Sequence, residues 1–183
     1  MLVAAAIGVG SALASYHFAH RFDAITVRWT VTTYDGEGKI VDGPRLAYRV
    51  SSTTGRWQQV VETKSGKHQI FLSEPGQGVF GKAPGGDRRV SDTAISPEPS
   101  DWSYWRNQPE YQRDDTVMGI PVVVLKMGEE SEGTIVDEYR APDYHGAYIK
   151  MVVHHEDNLI VYEPVSVTLG EPSPADFKYQ LQR

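Results

Sequence analysis

Apolar and polar residues alternate strictly along the stretch AITVRWTVTT, and this alternation constrains the fold more than any other feature of the chain. Ile25, Val27, Trp29 and Val31 occupy one phase, and threonine or arginine occupies the other. A period of two with many β-branched residues predicts a half-buried β-strand. Similar short runs recur along the rest of the chain without a long amphipathic helix between them. This favours an antiparallel meander over a parallel α/β sheet.

The predicted fold class is mainly β, with a strongly curved antiparallel sheet that forms a half-barrel or open barrel. In the stretch RLAYRVSS, Leu46, Tyr48 and Val50 share one phase and are expected to face inward. Turn signals between such runs give roughly eight or nine strands in total. A sheet of this size closes or curls around an apolar filling. An N-terminal helix or signal segment is expected to precede it.

The N-terminal stretch MLVAAAIGVGSALAS is apolar and uncharged, unlike the rest of the chain. Its alanine- and glycine-rich run and the triplet ALA at positions 12–14 are typical of a signal peptide and its cleavage site. Residues 1–15 are therefore predicted to be a signal peptide or membrane anchor, and residues 16–183 a single β-rich domain. An uncleaved anchor over residues 1–18 and a buried helix remain alternatives. The expected location is periplasmic or secreted.

Charge and cysteine content exclude several classes of function. The formal net charge is -6 at pH 7 and the sequence pI is near 5.5. Nucleic-acid binders carry a basic surface, whereas lysine and arginine are scattered here, so a nucleic-acid partner is not expected. The chain contains no cysteine, which excludes disulfides, thiolate metal sites and a cysteine nucleophile.

Two motifs match known sites by their letters but not by their context. GQGVFG, from Gly76 to Gly81, has the glycine spacing of a dinucleotide site, but the KAPGGDRR that follows cannot form the required helix. HHED, at positions 154–157, groups potential metal ligands. Adjacent histidines in a strand point to opposite faces, so this motif predicts a strand end and a hairpin turn. No cofactor, metal site or catalytic residue is predicted.

Aromatic residues form the candidate binding site. The segment 97–115 is rich in proline and aromatic residues and has no sustained periodicity, which is typical of a lid or binding loop. A short helix from Ser100 to Asn107, capped by Ser100, fits within it. Tryptophan and tyrosine combine a large apolar area with a polar tip, which suits ligand pockets. The alternative is that these aromatic residues simply form the core. The predicted ligand-binding residues are Trp29, Tyr48, Trp57, Trp102, Tyr104 and Trp105.

The C-terminal stretch LGEPSPADF predicts a stiff tail after the last strand. Val165, Val167 and Leu169 are expected to face inward along that strand, and Gly170 to let the backbone turn away. The two prolines that follow fix φ and keep the tail extended. We therefore expect Phe177 to cover apolar surface at the end of the sheet.

The last third of the chain also carries a family resemblance. The segment Glu138–Pro142 leads into further strands, and the chain then closes with the signature G-E-P-x-P-x-x-F. This pattern resembles the C-terminal half of uncharacterised exported bacterial β-proteins. The architecture is similar to the half-barrel of the periplasmic lipoprotein-carrier superfamily. That resemblance implies a curved sheet around a hydrophobic cavity that holds acyl chains. The signature residues are Gly170, Glu171, Pro172, Pro174 and Phe177.

The expected function is that of a non-enzymatic cell-envelope protein, which binds a lipid-like or other apolar ligand in the concave face of the curved sheet. The first alternative is a structural or interaction module whose aromatic loop contacts another envelope protein. The second is a hydrolase with an unidentified site. The expected partners are thus a lipid or acyl chain, or an envelope protein, and the sequence leaves the oligomeric state open.

Overall fold

Eleven antiparallel strands form one open sheet in the computed structural model of the protein, which describes residues 20–83, 86–91, 97–128 and 133–180. Two further short strands pair separately. The described part also contains helix α1, Trp102–Arg106, and two short 3-10 turns, Pro142–Tyr144 and Pro174–Asp176. The strands are β1 His20–Arg21, β2 Ile25–Tyr34, β3 Ile40–Ser51, β4 Trp57–Glu62, β5 His68–Ser73, β6 Val79–Ala83, β7 Gly86–Ser91, β8 Glu98–Pro99, β9 Tyr111–Val117, β10 Ile120–Met127, β11 Thr134–Ala141, β12 Ala147–His155 and β13 Asn158–Leu169.

The sheet consists of two meanders that meet at its centre. Its strand order is β7-β6-β5-β4-β3-β2-β13-β12-β11-β10-β9, and the small separate sheet pairs β1 with β8. From the centre of the sheet, β2 to β7 follow in chain order towards one edge, and β13 to β9 follow in reverse order towards the other edge. The pairing of β2 with β13 joins the two halves, from Ile25 opposite Leu169 to Tyr34 opposite Leu159. The predicted fold class, mainly β with a curved and unclosed antiparallel sheet, is confirmed.

The curvature follows from contacts that a flat sheet would not allow. Cα atoms of β12 and β2 approach within 8 Å although β13 lies between them. Two flat strand spacings would hold them roughly 9.6 Å apart. On the same side, the Trp29 indole Nε1 of β2 donates a hydrogen bond of 2.7 Å to the carbonyl of Ile149 in β12. We call this side, which carries Trp29, the concave face.

The alternation in β2 builds the core of the concave face. Ile25, Val27, Trp29 and Val31 are buried, whereas Arg28 between them is exposed. Each fully buried side chain of this size contributes roughly 1.5–3 kcal/mol relative to exposure. The prediction for this strand is confirmed. The cluster is completed by Ala47, Val122, Ala141, Ala147 and Ile149.

The described residues contain more strands than the eight or nine expected. One reason is β9, whose sequence YQRDDTV is exposed along most of its length and has no apolar phase. It lies at the edge of the sheet and pairs with β10 through its backbone. Charged residues at an edge discourage pairing with other chains. A strand held in this way leaves no hydrophobic periodicity in the sequence.

The C-terminal segment 170–180, which we call the clasp, folds back over the face opposite to Trp29. Gly170 has a φ of +107° where the chain leaves β13. Phe177 is only 9% exposed, and the Arg56 guanidinium lies 4.4 Å from the centre of its ring. The buried Gln58 side chain bonds the clasp twice: its Nε2 donates to the Asp176 carbonyl, and its Oε1 accepts from the Tyr179 amide. Phe177 therefore covers the sheet as expected.

The expectation for the last strand is confirmed for Val167, which packs against the core of the concave face, and is wrong for Val165 and Leu169. Val165 is 51% exposed and Leu169 is 38% exposed. The register between β13 and β2 shifts between Pro164 and Ser166, so the strand does not keep one phase along its length. A bulge of this kind cannot be read from alternation alone.

The predicted signal or anchor segment, residues 1–15 or 1–18, lies outside the described residues. Within the described ranges, no helix has the length and apolar character needed to cross a membrane.

We predict that Phe177→Ala lowers the free energy of unfolding by about 3 kcal/mol, because it removes a buried aromatic ring and leaves a cavity under the clasp. Chemical denaturation measures this loss. Gln180→Ala, at an exposed position of the same segment, is the control and should stay near wild type. Equal stability of the two variants would contradict a clasp held by Phe177.

Candidate functional site

The concave face contains a cavity of about 270 Å³, which we call the concave pocket. It lies between the two halves of the sheet, since β3 and β4 contribute one wall and β11 and β12 the other. The segment at the end of β1 and the short strand β8 border it. The lining residues are Phe22, Asp23, Arg49, Trp57, Val79, Glu98, Arg140, His145, Gly146 and Tyr148.

Strand register directs Arg49 and Trp57 into this pocket. Arg49 pairs with Val27, and Trp57 pairs with Ser51, which itself lies opposite Ile25. Directly opposed residues of an antiparallel pair point to the same side. Arg49 and Trp57 therefore share the concave face with the apolar phase of β2. The bend of the sheet then brings β12 within reach of Arg49.

Two arginines contact the ring of Tyr148. The Arg140 guanidinium lies 3.4 Å from the ring centre, and that of Arg49 lies 5.1 Å away. Arg140 is held firmly: its Nε donates to Glu138 at 2.9 Å, one terminal nitrogen donates to the Gly146 carbonyl at 3.0 Å, and the other donates to the Tyr148 hydroxyl. Burial, as the main cause, raises the pKa of Tyr148, and the charge of Arg140 opposes this shift.

Arg49 is held less completely than Arg140. Its nearest carboxylate is that of Asp23 at 3.8 Å, which is beyond hydrogen-bond distance, and Asp23 already accepts a bond of 2.7 Å from the Ser51 hydroxyl. Its guanidinium also lies 5.1 Å from the centre of the Trp57 ring. Cation–π contacts of this kind favour a charge that is withdrawn from water.

The aromatic segment forms a cover at the edge of the pocket. Helix α1 is capped by the Asp101 side chain, which accepts a bond of 2.8 Å from the Ser103 amide. Trp105 is buried against Val123 and Leu125 of β10. Its indole nitrogen donates to the Pro99 carbonyl at 3.0 Å. We call residues 97–107 the lid segment.

The lid segment differs from its prediction in two respects. The helix is capped by Asp101, not by Ser100, because the helix begins two residues later than expected. In addition, the predicted loop 97–115 contains the start of β9 at Tyr111.

The lid touches the pocket through Trp105 and Gly146. The Trp105 ring centre lies 5.7 Å from the Arg140 guanidinium. Gly146 has a φ of +69°, and a Cβ built on it would meet the Trp105 ring at 2.2 Å. Glycine is therefore required at position 146 for two reasons: the backbone has a positive φ, and the Trp105 ring leaves no space for a side chain.

The six predicted ligand-binding residues do not lie at one place. Trp57 lines the concave pocket, and Trp29 lies in the packed core of the same face. The lid aromatics lie near the pocket: Trp105 is buried, the Trp102 indole nitrogen donates to Asp143 at 2.8 Å, and Tyr104 is 38% exposed. Tyr48 lies on the opposite face of the sheet, next to Lys178.

The expectation that Leu46, Tyr48 and Val50 face the concave side is therefore wrong. These residues line a second cavity of about 440 Å³ on the convex face, closed on one side by the clasp. Both faces of β3 are covered, one by the sheet core and one by the clasp, so its apolar phase does not identify the concave side. For the same reason Arg49, which occupies the other phase of β3, was expected to face solvent and was not predicted to line the pocket.

The motifs GQGVFG and HHED have the predicted local structure. Gly76 lies in a turn with φ +70°, and β6 follows it instead of a helix. His155 ends β12, and a turn leads to Asn158 at the start of β13. Among the residues that the structure describes, no group of three or more histidine or carboxylate side chains is placed to hold a metal ion.

Three solved structures are similar to this chain. MucB has 12% sequence identity and a TM-score of 0.46, and the match covers 88% of this chain and 59% of that chain. The Pseudomonas aeruginosa MucA/MucB complex gives 13% identity, a TM-score of 0.45, and coverages of 85% and 56%. A LolA superfamily protein from Nitrosomonas europaea gives 11%, 0.39, and coverages of 87% and 92%.

This chain thus spans less than two thirds of the length of the first two structures. The third belongs to the half-barrel superfamily that the sequence was found to resemble. No protein-family model matches the chain, and no curated protein matches it. All three TM-scores are below 0.5, so these similarities carry no inference about function.

We predict that Gly146→Ala is more destabilising than Gly66→Ala. Both glycines have φ near +70°, but nothing lies within 4 Å of a Cβ on Gly66. The left-handed backbone alone costs about 1–2 kcal/mol in each variant. The clash with Trp105 should add about 1–3 kcal/mol in Gly146→Ala. Free energies of unfolding from denaturant titration measure the difference, and equal losses would show that the lid is not packed on Gly146.

We also predict that Tyr148 contributes to alkaline sensitivity. Its pKa in the folded protein is raised above the ordinary value of 10.0. The unfolded chain therefore loses this proton first, and stability falls as the pH rises through about 10 towards the folded pKa. Tyr148→Phe should lose less stability than wild type between about pH 9 and 11, measured by denaturant titration. An unchanged slope in Tyr148→Phe would contradict a raised pKa for the buried Tyr148 hydroxyl.

Proposed function

We propose that the protein is a non-catalytic binding protein of the cell envelope, which holds one end of a lipid-like ligand in the concave pocket beside the lid segment. The observation that carries this proposal is the pocket itself. The bend of the sheet creates a cavity between its two halves, and its walls combine apolar side chains, such as Trp57 and Val79, with charged ones, such as Asp23 and Arg49. Concave sites that pair apolar walls with placed polar groups are the usual form of small-molecule sites.

The size of the pocket limits what it can hold. Its volume of about 270 Å³ corresponds to roughly nine water molecules in the liquid. Such a space accommodates a small molecule or one end of an extended molecule, but not a complete lipid. The core of the concave face around Trp29 is packed, so a long chain would have to leave the pocket towards solvent.

The placement of the lid aromatics favours a ligand over a protein partner. Trp105 is buried and Trp102 is bonded to Asp143, so two of the three aromatic residues are already engaged within the fold. Tyr104 is the one that is more than a third exposed, and its hydroxyl donates to Glu98 at 3.3 Å. A docking surface built from this segment would be expected to expose a contiguous aromatic patch.

Filling the pocket tests the proposal. Val79→Trp places a large side chain in the cavity, and Val90→Trp places the same side chain at an exposed position of the neighbouring strand. We expect wild type and Val90→Trp to bind dodecanoate, and Val79→Trp to bind at least about 10-fold more weakly, since it excludes the ligand. Isothermal titration calorimetry measures the affinities, and thermal unfolding confirms that both variants are folded.

Two results would contradict the proposal. The first is a Val79→Trp variant that binds as tightly as wild type. The second is wild-type protein that binds no dodecanoate and that, when purified from its own host envelope, gives only the mass of the bare chain by native mass spectrometry.

A further inference from the structure

Two hydrogen-bond donors in the concave pocket have no acceptor. The Nε atom of Arg49 and the indole Nε1 atom of Trp57 are both buried, and neither has a hydrogen-bond partner. Both residues line the pocket. Trp57 is 9% exposed and the Arg49 side chain 11% exposed, so bulk water reaches neither side chain freely. Buried polar groups without a partner are rare in proteins and call for an explanation.

The acidic side chains around the pocket form no hydrogen bond with these two donors. The nearest carboxylate oxygen to Arg49 is Asp23 Oδ1, 3.8 Å from the terminal nitrogen Nη2, not from Nε. The carboxylate of Glu98, which also lines the pocket, accepts from the Tyr104 hydroxyl at 3.3 Å. Glu138 is occupied by Arg140. The carboxylates of the chain itself therefore leave Arg49 Nε unsatisfied.

The Arg49 guanidinium is held by two aromatic rings, and its ion pair with Asp23 spans 3.8 Å. The Arg49 guanidinium lies between the rings of Trp57 and Tyr148, at 5.1 Å from each ring centre. These rings hold it in place without supplying a hydrogen-bond acceptor. An arginine fixed in this way, with a free edge, is suited to a carboxylate or phosphate oxygen, because guanidinium donors form strong charge-assisted bonds with oxyanions.

We propose that Arg49 Nε and Trp57 Nε1 bind the acidic group, a carboxylate or a phosphate monoester, at the end of the ligand. This inference rests on the proposed function and names the chemistry of the ligand end that enters the pocket. The charged group accepts from both donors, while Phe22 and Val79 contact the apolar part that follows it.

Four probes separate the acidic group from the apolar chain. Dodecanoate and dodecyl phosphate carry both, dodecanol carries only the chain, and inorganic phosphate carries only the anion. We expect at least one of the two acidic amphiphiles to bind about 10-fold or more tightly than dodecanol, since a hydrogen bond to a charged group has that value. The comparison of dodecanoate with dodecyl phosphate identifies the group.

Three variants assign the effect to the two donors. Trp57→Phe keeps the ring but removes Nε1–H, and Arg49→Lys keeps the charge but removes Nε. Each should reduce the ratio of acidic-amphiphile affinity to dodecanol affinity several-fold, whatever change it causes in dodecanol binding itself. Arg28→Gln removes an exposed positive charge from the convex face and should keep the full preference. Since Trp57 Nε1 has no partner in the protein, Trp57→Phe should remain folded, which thermal unfolding checks.

The outcomes distinguish this inference from the proposed function. Equal binding of dodecanol and both acidic amphiphiles would overturn the acidic-group inference and leave the lipid-binding proposal standing, with water as the acceptor for the two donors. A preference that survives in Trp57→Phe and Arg49→Lys would also overturn it. Binding of inorganic phosphate as tight as that of dodecyl phosphate would support the anion site but count against a lipid-like ligand. If none of the four probes binds and protein purified from its own host envelope gives only the mass of the bare chain, both fail.

Discussion

The pairing of β2 with β13 is the constraint on which the rest of the structure depends. It joins the two meanders, and it lies at the centre of the sheet. The bend occurs here, because Trp29 of β2 reaches across β13 to the backbone of β12. The concave pocket follows from that bend, since its two walls belong to different halves. A flatter sheet would separate Arg49 from Tyr148 and leave no cavity between them.

Strand β2 could be predicted from the sequence because burial acts on only one of its two faces. One side of β2 is buried and the other is largely polar, so alternation reports the concave face directly. The same reasoning was wrong for β3. The clasp covers the second face of this strand, so the phase that contains Tyr48 is apolar although it faces away from the concave side. A local sequence pattern does not show that a segment more than a hundred residues away covers this face of the strand. The reasoning also failed for β9, whose place in the sheet depends on backbone pairing with β10.

The candidate site was predictable only in part, for a related reason. Aromatic residues are conspicuous in a sequence, and four of the six selected lie at the pocket or in its lid segment: Trp57, Trp102, Tyr104 and Trp105. The arginines were missed, because an arginine in a strand ordinarily indicates the solvent side. Arg49 and Arg140 instead lie on aromatic rings, and that environment depends on strands far apart in the sequence. Their side chains lie on the same side of the sheet as Trp29, and this position, not their residue type, would have identified them.

The central position of the β2–β13 pair has a consequence for how the chain acquires its structure. Leu169 is the last residue of β13, and it lies opposite Ile25, at the beginning of the sheet. During synthesis, β2 to β7 can form a meander early, but one long edge of β2 then has no partner until the final strand has been made. Contacts of such large sequence separation slow folding, and an unpaired strand edge beside an apolar surface is prone to join other chains. The interval before β13 arrives is thus when the nascent chain most needs protection from its neighbours.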